Sequence, residues 1–370
     1  MGATPLIPAS DDRAAIYKAR DASPVLSALG WDAAWEPQFA PFHSRELVPG
    51  RVARVDGSSV LAITASTTLP AFLRGSLTVP AVGDWAALSQ IDNSLFMVEA
   101  LLPRRSALSR ARSHGERQPA EEQCLAANVD VVFIVQAANN LNARRLEREV
   151  AQVRECAIDA VVVLTKVDLV SGDRSASAEA EEAVPGHQVL VVNGITGEGT
   201  DSVRALVPPG RTAALLGASG VGKSTLANRL MGADVMATSS VREADQRGRH
   251  TTTARHLHLL PGGGSLIDTP GIRAVGLLSD AGIEETFPDI AELAQACRFR
   301  DCSHTSEPDC GVLGAVETES LDDGRLESYR KLGREARYVA RKDDPVARDA
   351  ERRRWKHIHK ALRLRERLEK

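Results

Sequence analysis

One eight-residue stretch constrains this chain more than any other feature of its sequence. It fits the pattern G-x-x-x-x-G-K-[ST] and consists of Gly217, Ala218, Ser219, Gly220, Val221, Gly222, Lys223 and Ser224. Thr212–Leu216 before it predicts a short buried strand, and Thr225–Leu230 after it predicts a helix. Glycines let the backbone fold around a phosphate, toward which the first N–H groups of the helix point. Because both flanks fit, a phosphate-binding loop is favoured over a chance match in a glycine-rich turn.

The last residues of this loop have defined roles toward a nucleoside triphosphate. Lys223 is expected to contact the β- and γ-phosphates and to serve catalysis, and the Ser224 hydroxyl is expected to ligate Mg²⁺. Thr225 follows them in the helix and is counted among the nucleotide-binding residues. The chain is therefore expected to bind a nucleoside triphosphate together with Mg²⁺.

Two polar segments downstream of the loop fit a metal ion and a γ-phosphate. Residues 266–271 resemble the D-x-x-G element of GTPases, in which the carboxylate holds Mg²⁺ through water and the glycine amide senses the γ-phosphate. They supply Asp268 and Gly271. Residues 247–253 end in three threonines. The hydroxyl and carbonyl of Thr252 are expected to complete the Mg²⁺ shell only while the γ-phosphate is present.

The residues predicted to read the base lie upstream of the phosphate loop. An apolar strand at Ala160–Leu164 runs into the tetrapeptide Thr165, Lys166, Val167 and Asp168. The Asp168 carboxylate can accept two hydrogen bonds from the N1 and N2 edge of guanine, whereas adenine offers no such pair of donors. Lys166 is expected to lie along the base and the loop. Alone this tetrapeptide is a weak signal, but its place after a buried strand favours guanine.

A second apolar strand, Gln188–Val192, leads into a turn that supports the same interpretation. Asn193 and Gly194 open this turn, and Thr-Gly-Glu-Gly follows at 196–199. A backbone amide placed here can meet guanine O6. The two turns together predict a guanine-nucleotide site.

Four potential metal ligands occur within fourteen residues downstream of the switch segments. Their spacing is C-x4-C-x-H-x5-C, and they are Cys297, Cys302, His304 and Cys310. Three thiolates and one imidazole match a closed tetrahedral Zn²⁺ site, in which four protein ligands leave no open position for catalysis. One structural Zn²⁺ per chain is expected, with unligated cysteines as the alternative. Cys124 and Cys156 stand apart from this cluster and are expected to fill the core.

The base tetrapeptide, the phosphate loop and the switch segments follow one another in the order of a circularly permuted GTPase. With this order, the Arg-His-Thr-Thr-Thr run at 249–253 and the cysteine cluster, the chain resembles the ribosome small-subunit-dependent GTPase A family from about residue 40 onward. The resemblance implies that the 30S ribosomal subunit activates hydrolysis of GTP to GDP, with 16S rRNA as a partner. It also implies a role in late 30S assembly and maturation and in the release of assembly factors.

Two other functions fit the sequence less completely. One is a nucleotide-gated rRNA-binding module in which hydrolysis is incidental. The other is a P-loop kinase or ATPase, which needs neither the tetrapeptide at 165–168 nor the element at 268–271. Nucleotide preference and turnover on small subunits distinguish the three.

A few positions depart from the usual GTPase pattern. Thr165 stands where Asn is commonest, so one hydrogen bond to the base or the loop is expected to be altered or lost. Asn193 and Gly194 stand where Ser and Ala are usual, although the role there is mainly a backbone one. Ile272 stands where many GTPases place a water-orienting Gln, and an aliphatic side chain cannot orient water. His250 is the candidate instead, and the resemblance points to the same residue; the alternative is a histidine that faces solvent.

Composition along the chain predicts five segments. They are an N-terminal extension at 1–40, an OB-type β-barrel at 41–103, a basic linker at 104–118, the GTPase domain at 119–275, and a helical zinc-binding domain with a basic tail at 276–370. The fold class is therefore α/β, a circularly permuted P-loop GTPase domain between a barrel and a zinc-binding domain. Arg51, Arg54 and Arg74 of the barrel are expected to be available to RNA, the alternative being an SH3-like barrel that only caps the enzyme. The arginines of the linker are expected to contact phosphates, unless the linker is only a solvated hinge.

The overall charge is nearly balanced but unevenly distributed. The net charge is −3, yet residues 341–370 hold twelve Lys and Arg against six Asp and Glu. No apolar run is long enough to cross a membrane, and the N-terminus shows no signal pattern. A cytoplasmic monomer without a membrane partner is expected, with RNA contact possible through the basic tail.

Overall fold

The computed structural model describes residues 23–75, 79–92, 95–112, 121–170, 174–232, 255–268, 277 and 279–343. A five-stranded barrel, a six-stranded sheet with flanking helices and a helical C-terminal region follow one another along these residues. Among them, no helix combines the length and the apolar character needed to span a lipid bilayer.

The barrel closes on itself in the order β1-β2-β3-β5-β4. Its strands are β1 Val48–Asp56, β2 Ser59–Ile63, β3 Thr68–Leu73, β4 Trp85–Asp92 and β5 Leu95–Leu101. β3 and β5 are parallel, and the other neighbours, including β1 with β4, are antiparallel. Closure leaves no unpaired edge, and this strand order is that of an OB-type barrel, as expected from the sequence.

The segment before the barrel fastens it to the rest of the chain. Two short helices, α1 Pro24–Ala28 and α2 Glu36–His43, bring Trp31 and Trp35 against Trp85 of the barrel, with Trp31 and Trp85 ring centroids 4.8 Å apart. Aromatic rings packed in such orientations stabilise the contact beyond the contribution of buried apolar surface.

Arg51 is not available to RNA, contrary to expectation. Its side chain is only 2% exposed and donates to the Leu29 carbonyl at 2.7 Å, the Asn128 carbonyl at 3.0 Å and the Thr212 hydroxyl at 3.3 Å. Burial lowers the pKa of Arg51 to about 10, which leaves the guanidinium charged at neutral pH. Arg51 therefore joins the N-terminal segment, the barrel and the central sheet.

The stretch interpreted as an exposed basic linker contains a strand. β6 Ala107–Arg112 pairs antiparallel with β7 Glu121–Ala127, and Leu108 of this strand is buried. Arg104 donates twice to the buried carboxylate of Asp84, at 2.7 and 2.8 Å. Arg105 likewise holds Asp32 through two bonds of 2.6 Å. These two arginines pair with carboxylates of the protein itself; residues 113–120 lie outside the described part.

The central sheet has the order β10-β9-β8-β11-β13-β12. Its strands are β8 Val131–Ala137, β9 Asp159–Thr165, β10 Gln188–Val191, β11 Thr212–Leu216, β12 His256–Leu259 and β13 Ser265–Asp268. All neighbours are parallel except β12, which runs antiparallel to β13. Every residue of β8 and β11 is buried, as expected for strands covered on both faces.

Helices cover both faces of this sheet. They are α3 Ala143–Glu155, α4 Arg174–Ala183, α5 Thr200–Ala205 and α6 Lys223–Met231. One face packs residues such as Ile134 and Val162 against Leu146 and Val150 of α3. The other packs Phe133 and Leu215 against Leu226 of α6. Successive side chains of β8 point to opposite faces of the sheet, so this strand contributes to two separate hydrophobic cores.

The C-terminal region is helical and docks on α3. Its helices are α7 Ala281–Thr286, α8 Pro288–Ala294, α9 Gly311–Glu317 and α10 Asp323–Asp343. Gly282 is required here, since a Cβ at this position would lie 2.0 Å from the Ala151 carbonyl oxygen. Arg325 of α10 donates to Asp289 at 2.6 and 2.7 Å and to Glu147 of α3 at 3.0 Å. The basic tail at 351–370 lies outside the described residues.

Candidate nucleotide site and metal cluster

The loops that follow five parallel strands meet at one edge of the central sheet. Parallel strands end at a common edge, and β8, β9, β10, β11 and β13 all end there. The tetrapeptide at 165–168, the turn at 193–199, the phosphate loop and Asp268 are therefore brought together. Residues more than 100 positions apart in the chain share this edge.

The phosphate loop adopts a backbone that only glycine accepts at its critical positions. Gly217 has φ of 140° and Gly222 has φ of 101°. A Cβ at Gly217 would lie 2.3 Å from the Val135 carbonyl oxygen, so the loop rests directly on the end of β8. Lys223 begins α6, and its Nζ donates to the carbonyls of Gly217 at 2.8 Å and Ala218 at 2.5 Å. The loop thus holds its own ammonium group beside the N–H groups that open the helix.

Thr165, which stands where Asn is commonest in GTPases, contacts the phosphate loop through its hydroxyl group. Its side chain is 3% exposed, and its hydroxyl donates to the Val221 carbonyl and lies 3.2 Å from the Gln136 carbonyl. A Cβ at Gly222 would meet the Thr165 hydroxyl at 3.1 Å, so the two residues are in close contact.

The next residues turn sharply toward solvent. Lys166 has φ of 57°, a left-handed conformation that is uncommon outside glycine and frequent at functional turns. Val167–Leu169 form a single 3-10 turn that leaves the Asp168 side chain exposed at the sheet edge. An exposed carboxylate at this point is accessible to an incoming base.

The turn after β10 is closed by its own asparagine and by an arginine of α6. The Asn193 Oδ1 accepts from the N–H groups of Ile195 at 2.9 Å and Thr196 at 3.1 Å. Arg229 donates to the Gly194 carbonyl at 3.0 Å and also to the Ile195 carbonyl. Asn193 thus shapes the backbone of this turn through its side chain.

Arg229 was not identified from the sequence. Its position six residues after Lys223, in the helix that follows the phosphate loop, is the only available signal. Arg229 lies on α6, which begins in the phosphate loop, and its side chain holds the turn after β10. The segments predicted to contact the base and the phosphates are therefore linked through this helix.

Two described side chains carry oxygen atoms suited to Mg²⁺. Ser224 lies in the first turn of α6, and Asp268 ends β13, the strand next to β11. A hydroxyl and a carboxylate are the hard oxygen ligands that Mg²⁺ prefers. His250, Thr252 and Gly271 lie outside the described residues.

The cysteine cluster has the dimensions of a tetrahedral metal site. The four potential ligand atoms, one each from Cys297, Cys302, His304 and Cys310, all lie within 4.8 Å of one another. The Cys297 and Cys310 sulfurs are 3.7 Å apart, and each lies 3.5 Å from His304 Nδ1. Metal–sulfur and metal–nitrogen bonds of Zn²⁺ length give tetrahedron edges of about 3.8 and 3.6 Å. The donor set and its spacing therefore fit one metal ion.

The other two cysteines behave as core residues. Burial raises the pKa of Cys124 and of Cys156 to about 11, so both thiols are protonated at neutral pH. Protonated thiols are poor metal ligands and poor nucleophiles. This agrees with their expected role in packing.

Comparisons with known proteins agree with this geometry. Residues 101–278 match the model of the family described as RsgA GTPase. The chain is 46% identical over 342 residues to "Small ribosomal subunit biogenesis GTPase RsgA" of Streptomyces coelicolor, covering 90% of this chain and 92% of the relative. It is 42% identical over 365 residues to the protein of the same name from Opitutus terrae, covering 93% and 99%.

Solved structures show the same fold. YjeQ from Thermotoga maritima aligns with a TM-score of 0.57 at 24% identity, covering 78% of this chain and 98% of that one. YloQ, titled a circularly permuted GTPase, aligns with a TM-score of 0.53 at 22% identity, covering 79% and 95%. With relatives this similar over nine-tenths of its length, the chain belongs to the RsgA GTPase family.

Proposed function

We propose that this protein hydrolyses GTP when bound to the small ribosomal subunit and acts in late 30S assembly, through contacts with 16S rRNA. The observation that carries the proposal is the sheet edge, where Asp168, the phosphate loop and Asp268 converge in permuted chain order. The relatives are named small ribosomal subunit biogenesis GTPases, which supports the same function.

At this edge, one group of residues contacts the base of the nucleotide and another contacts its phosphates. Asp168 accepts from the N1 and N2 groups of guanine, and the backbone of the turn at Asn193 and Gly194 faces O6. The N–H groups of the phosphate loop and the Lys223 ammonium hold the β- and γ-phosphates. Bound Mg²⁺, held by Ser224, Asp268 and Thr252, supplies neutralisation of the charge on the phosphate oxygens.

The attacking water needs a positioning group, and we assign this role to His250. Ile272 offers no polar atom, and His250 is adjacent to the threonines of the switch segment. An imidazole can accept a hydrogen bond from water and fix its direction of attack. In GTPases, switch segments contact the γ-phosphate, and a bound partner can act on catalysis through them.

GTP turnover measured with and without small ribosomal subunits tests the proposal. Subunits are expected to raise the rate by about tenfold or more, since ordering of a switch supplies groups that the free enzyme lacks. His250→Ala should lose most of this stimulation while GDP affinity stays the same. Equal turnover with and without subunits, together with intact subunit binding, would instead favour the nucleotide-gated rRNA-binding module.

Asp168→Asn is expected to weaken GTP binding by about tenfold to a hundredfold, because a charged double acceptor becomes half donor. The same change should improve binding of XTP, whose base has a carbonyl in place of the guanine amino group. Affinities of GTP, XTP and ATP for both proteins measure the effect. Asp323→Asn, which removes an exposed carboxylate on α10, is the matched control.

Zn²⁺ is the metal that we assign to the cysteine cluster, with a structural role. The donor set of three sulfurs and one nitrogen suits this ion, and four protein ligands complete its coordination. The metal would join the loop at 297–310 to α9, since Cys310 is the N-cap residue of that helix.

A further inference from the structure

A buried carboxylate lies beneath the phosphate loop and takes no part in the contacts described so far. Glu149 of α3 is 1% exposed, and it forms no ion pair within the described part of the chain. Its Oε2 accepts a 2.6 Å hydrogen bond from the side-chain amide of Gln136, which is itself 2% exposed. A buried carboxylate without an ion pair is costly to keep ionised, so its presence calls for a physical reason.

Gln136 connects Glu149 to the phosphate loop through Thr165. The Gln136 carbonyl lies 3.2 Å from the Thr165 hydroxyl, which donates to the Val221 carbonyl of the loop. The preceding residue, Val135, contacts Gly217 through its carbonyl oxygen. The last residues of β8 thus lie directly against the phosphate loop, and Glu149 holds the Gln136 side chain at this point.

The surroundings of Glu149 place its ionisation in the physiological range. Burial raises the pKa of Glu149 to about 7, against the opposing influence of the charges on Arg145 of its own helix and Lys223 of α6 and of the Gln136 hydrogen bond. Because Lys223 acts electrostatically on Glu149, phosphates that arrive at Lys223 will act on it too. Negative charge brought close to a carboxylate favours its protonated form.

We propose that Glu149 is a positioning residue that anchors Gln136 beneath the phosphate loop and takes up a proton from solvent when the nucleotide phosphates bind. The inference rests on the proposed guanine-nucleotide site. Its sign follows from linkage: if the ligand favours protonated Glu149, binding is tighter at low pH and weakens as pH rises through neutrality.

The experiment is a titration of the full-length protein with GDP and Mg²⁺ between pH 6 and 8.5, in buffers of different ionisation enthalpy so that protons are counted. Glu149→Gln keeps the acceptor oxygen for Gln136 but cannot titrate. The ratio of the wild-type to the Glu149→Gln dissociation constant is expected to rise by about threefold to tenfold across this range. The wild type should also take up more protons on binding GDP near pH 7 than the variant does. Subtracting the variant's proton count from that of the wild type removes the contribution of protons bound by GDP itself.

Glu147→Gln is the matched control. Glu147 lies two residues away on the same helix and is 3% exposed, but it accepts from Arg325 and Ser328 of the C-terminal region. This variant should reproduce the wild-type proton count and pH profile of GDP affinity, even if its stability falls. An effect of Glu147→Gln equal to that of Glu149→Gln would show a general response to lost buried charge and overturn the proposal.

Infrared difference spectra of the wild type keep the inference testable if Glu149→Gln fails to fold. GDP added at pH 8 is expected to create the absorption band of a protonated carboxyl group. Absence of this band, or equal proton counts for wild type and variant, contradicts the role of Glu149 and leaves the nucleotide site intact. Failure of the wild type to bind GDP at any pH contradicts the proposed function instead.

Discussion

Replacing Lys223 by Met is expected to lower the rate of GTP hydrolysis by about a hundredfold to a thousandfold, with or without small subunits. The ammonium group neutralises charge that develops on the phosphate oxygens in the transition state, and Met keeps the length of the side chain without the charge. The Lys223 Nζ already lies inside the loop, bonded to two of its carbonyls, so little reorganisation is needed to meet a phosphate. Single-turnover measurement of phosphate release gives the rate directly.

Lys331→Met on α10 is the control for this change. Lys331 is exposed and lies on α10 in the C-terminal region, so its loss removes the same charge outside the loop. Its turnover should match the wild type. If Lys223→Met also retains near wild-type turnover while its fold and thermal midpoint are intact, the loop at 217–224 does not hold the reacting phosphates.

The sequence predicted the parts of this molecule whose signals are local. Thr212–Leu216 is an apolar run before a glycine-rich loop, and it forms a strand with those same bounds. The helix expected at Thr225–Leu230 lies within Lys223–Met231. Strand, loop and helix each depend on neighbouring residues, so their patterns are visible without the tertiary structure.

Side chains whose partners come from distant segments could not be predicted in the same way. Arg51 looked like an RNA-binding residue because arginines on barrels are usually exposed, but its partner Thr212 lies 161 residues away. Glu149 sits in a highly charged helix, and only the position of Gln136 on β8 shows that it is buried. In both cases the sequence gives the charge of the residue but not the direction in which it points.

Thr165 shows a different limit. The sequence predicts that one hydrogen bond to the base or the loop is altered or lost, because Thr165 stands where Asn is commonest. The structure shows that the Val221 carbonyl comes within reach of the shorter hydroxyl. Val221 lies 56 residues away in the chain, so the fold and not the local sequence brings these two groups together.

Cys310→Ser is expected to release about one equivalent of Zn²⁺ per chain and to unfold the region around α9. Structural zinc sites contribute roughly 10–16 kcal/mol of apparent binding free energy in small metal-dependent folds, so one lost thiolate removes a dominant stabilising contact. Cys310 is also 7% exposed and accepts from the Leu313 N–H at the start of α9, which couples the metal site to the helix. Metal content by mass spectrometry and limited proteolysis measure the two effects.

The nucleotide site should survive this change, which separates the metal's role from catalysis. α3 packs against the central sheet through Leu146 and Val150 independently of the cysteine loop, so GDP affinity is expected to change by less than about threefold. Cys124→Ser, which alters a half-buried thiol outside the cluster, should keep both the metal and the protease resistance. A Cys310→Ser protein that keeps its metal, or a metal-free wild type with an unchanged thermal midpoint, would show that the four side chains lie close together without a structural ion between them.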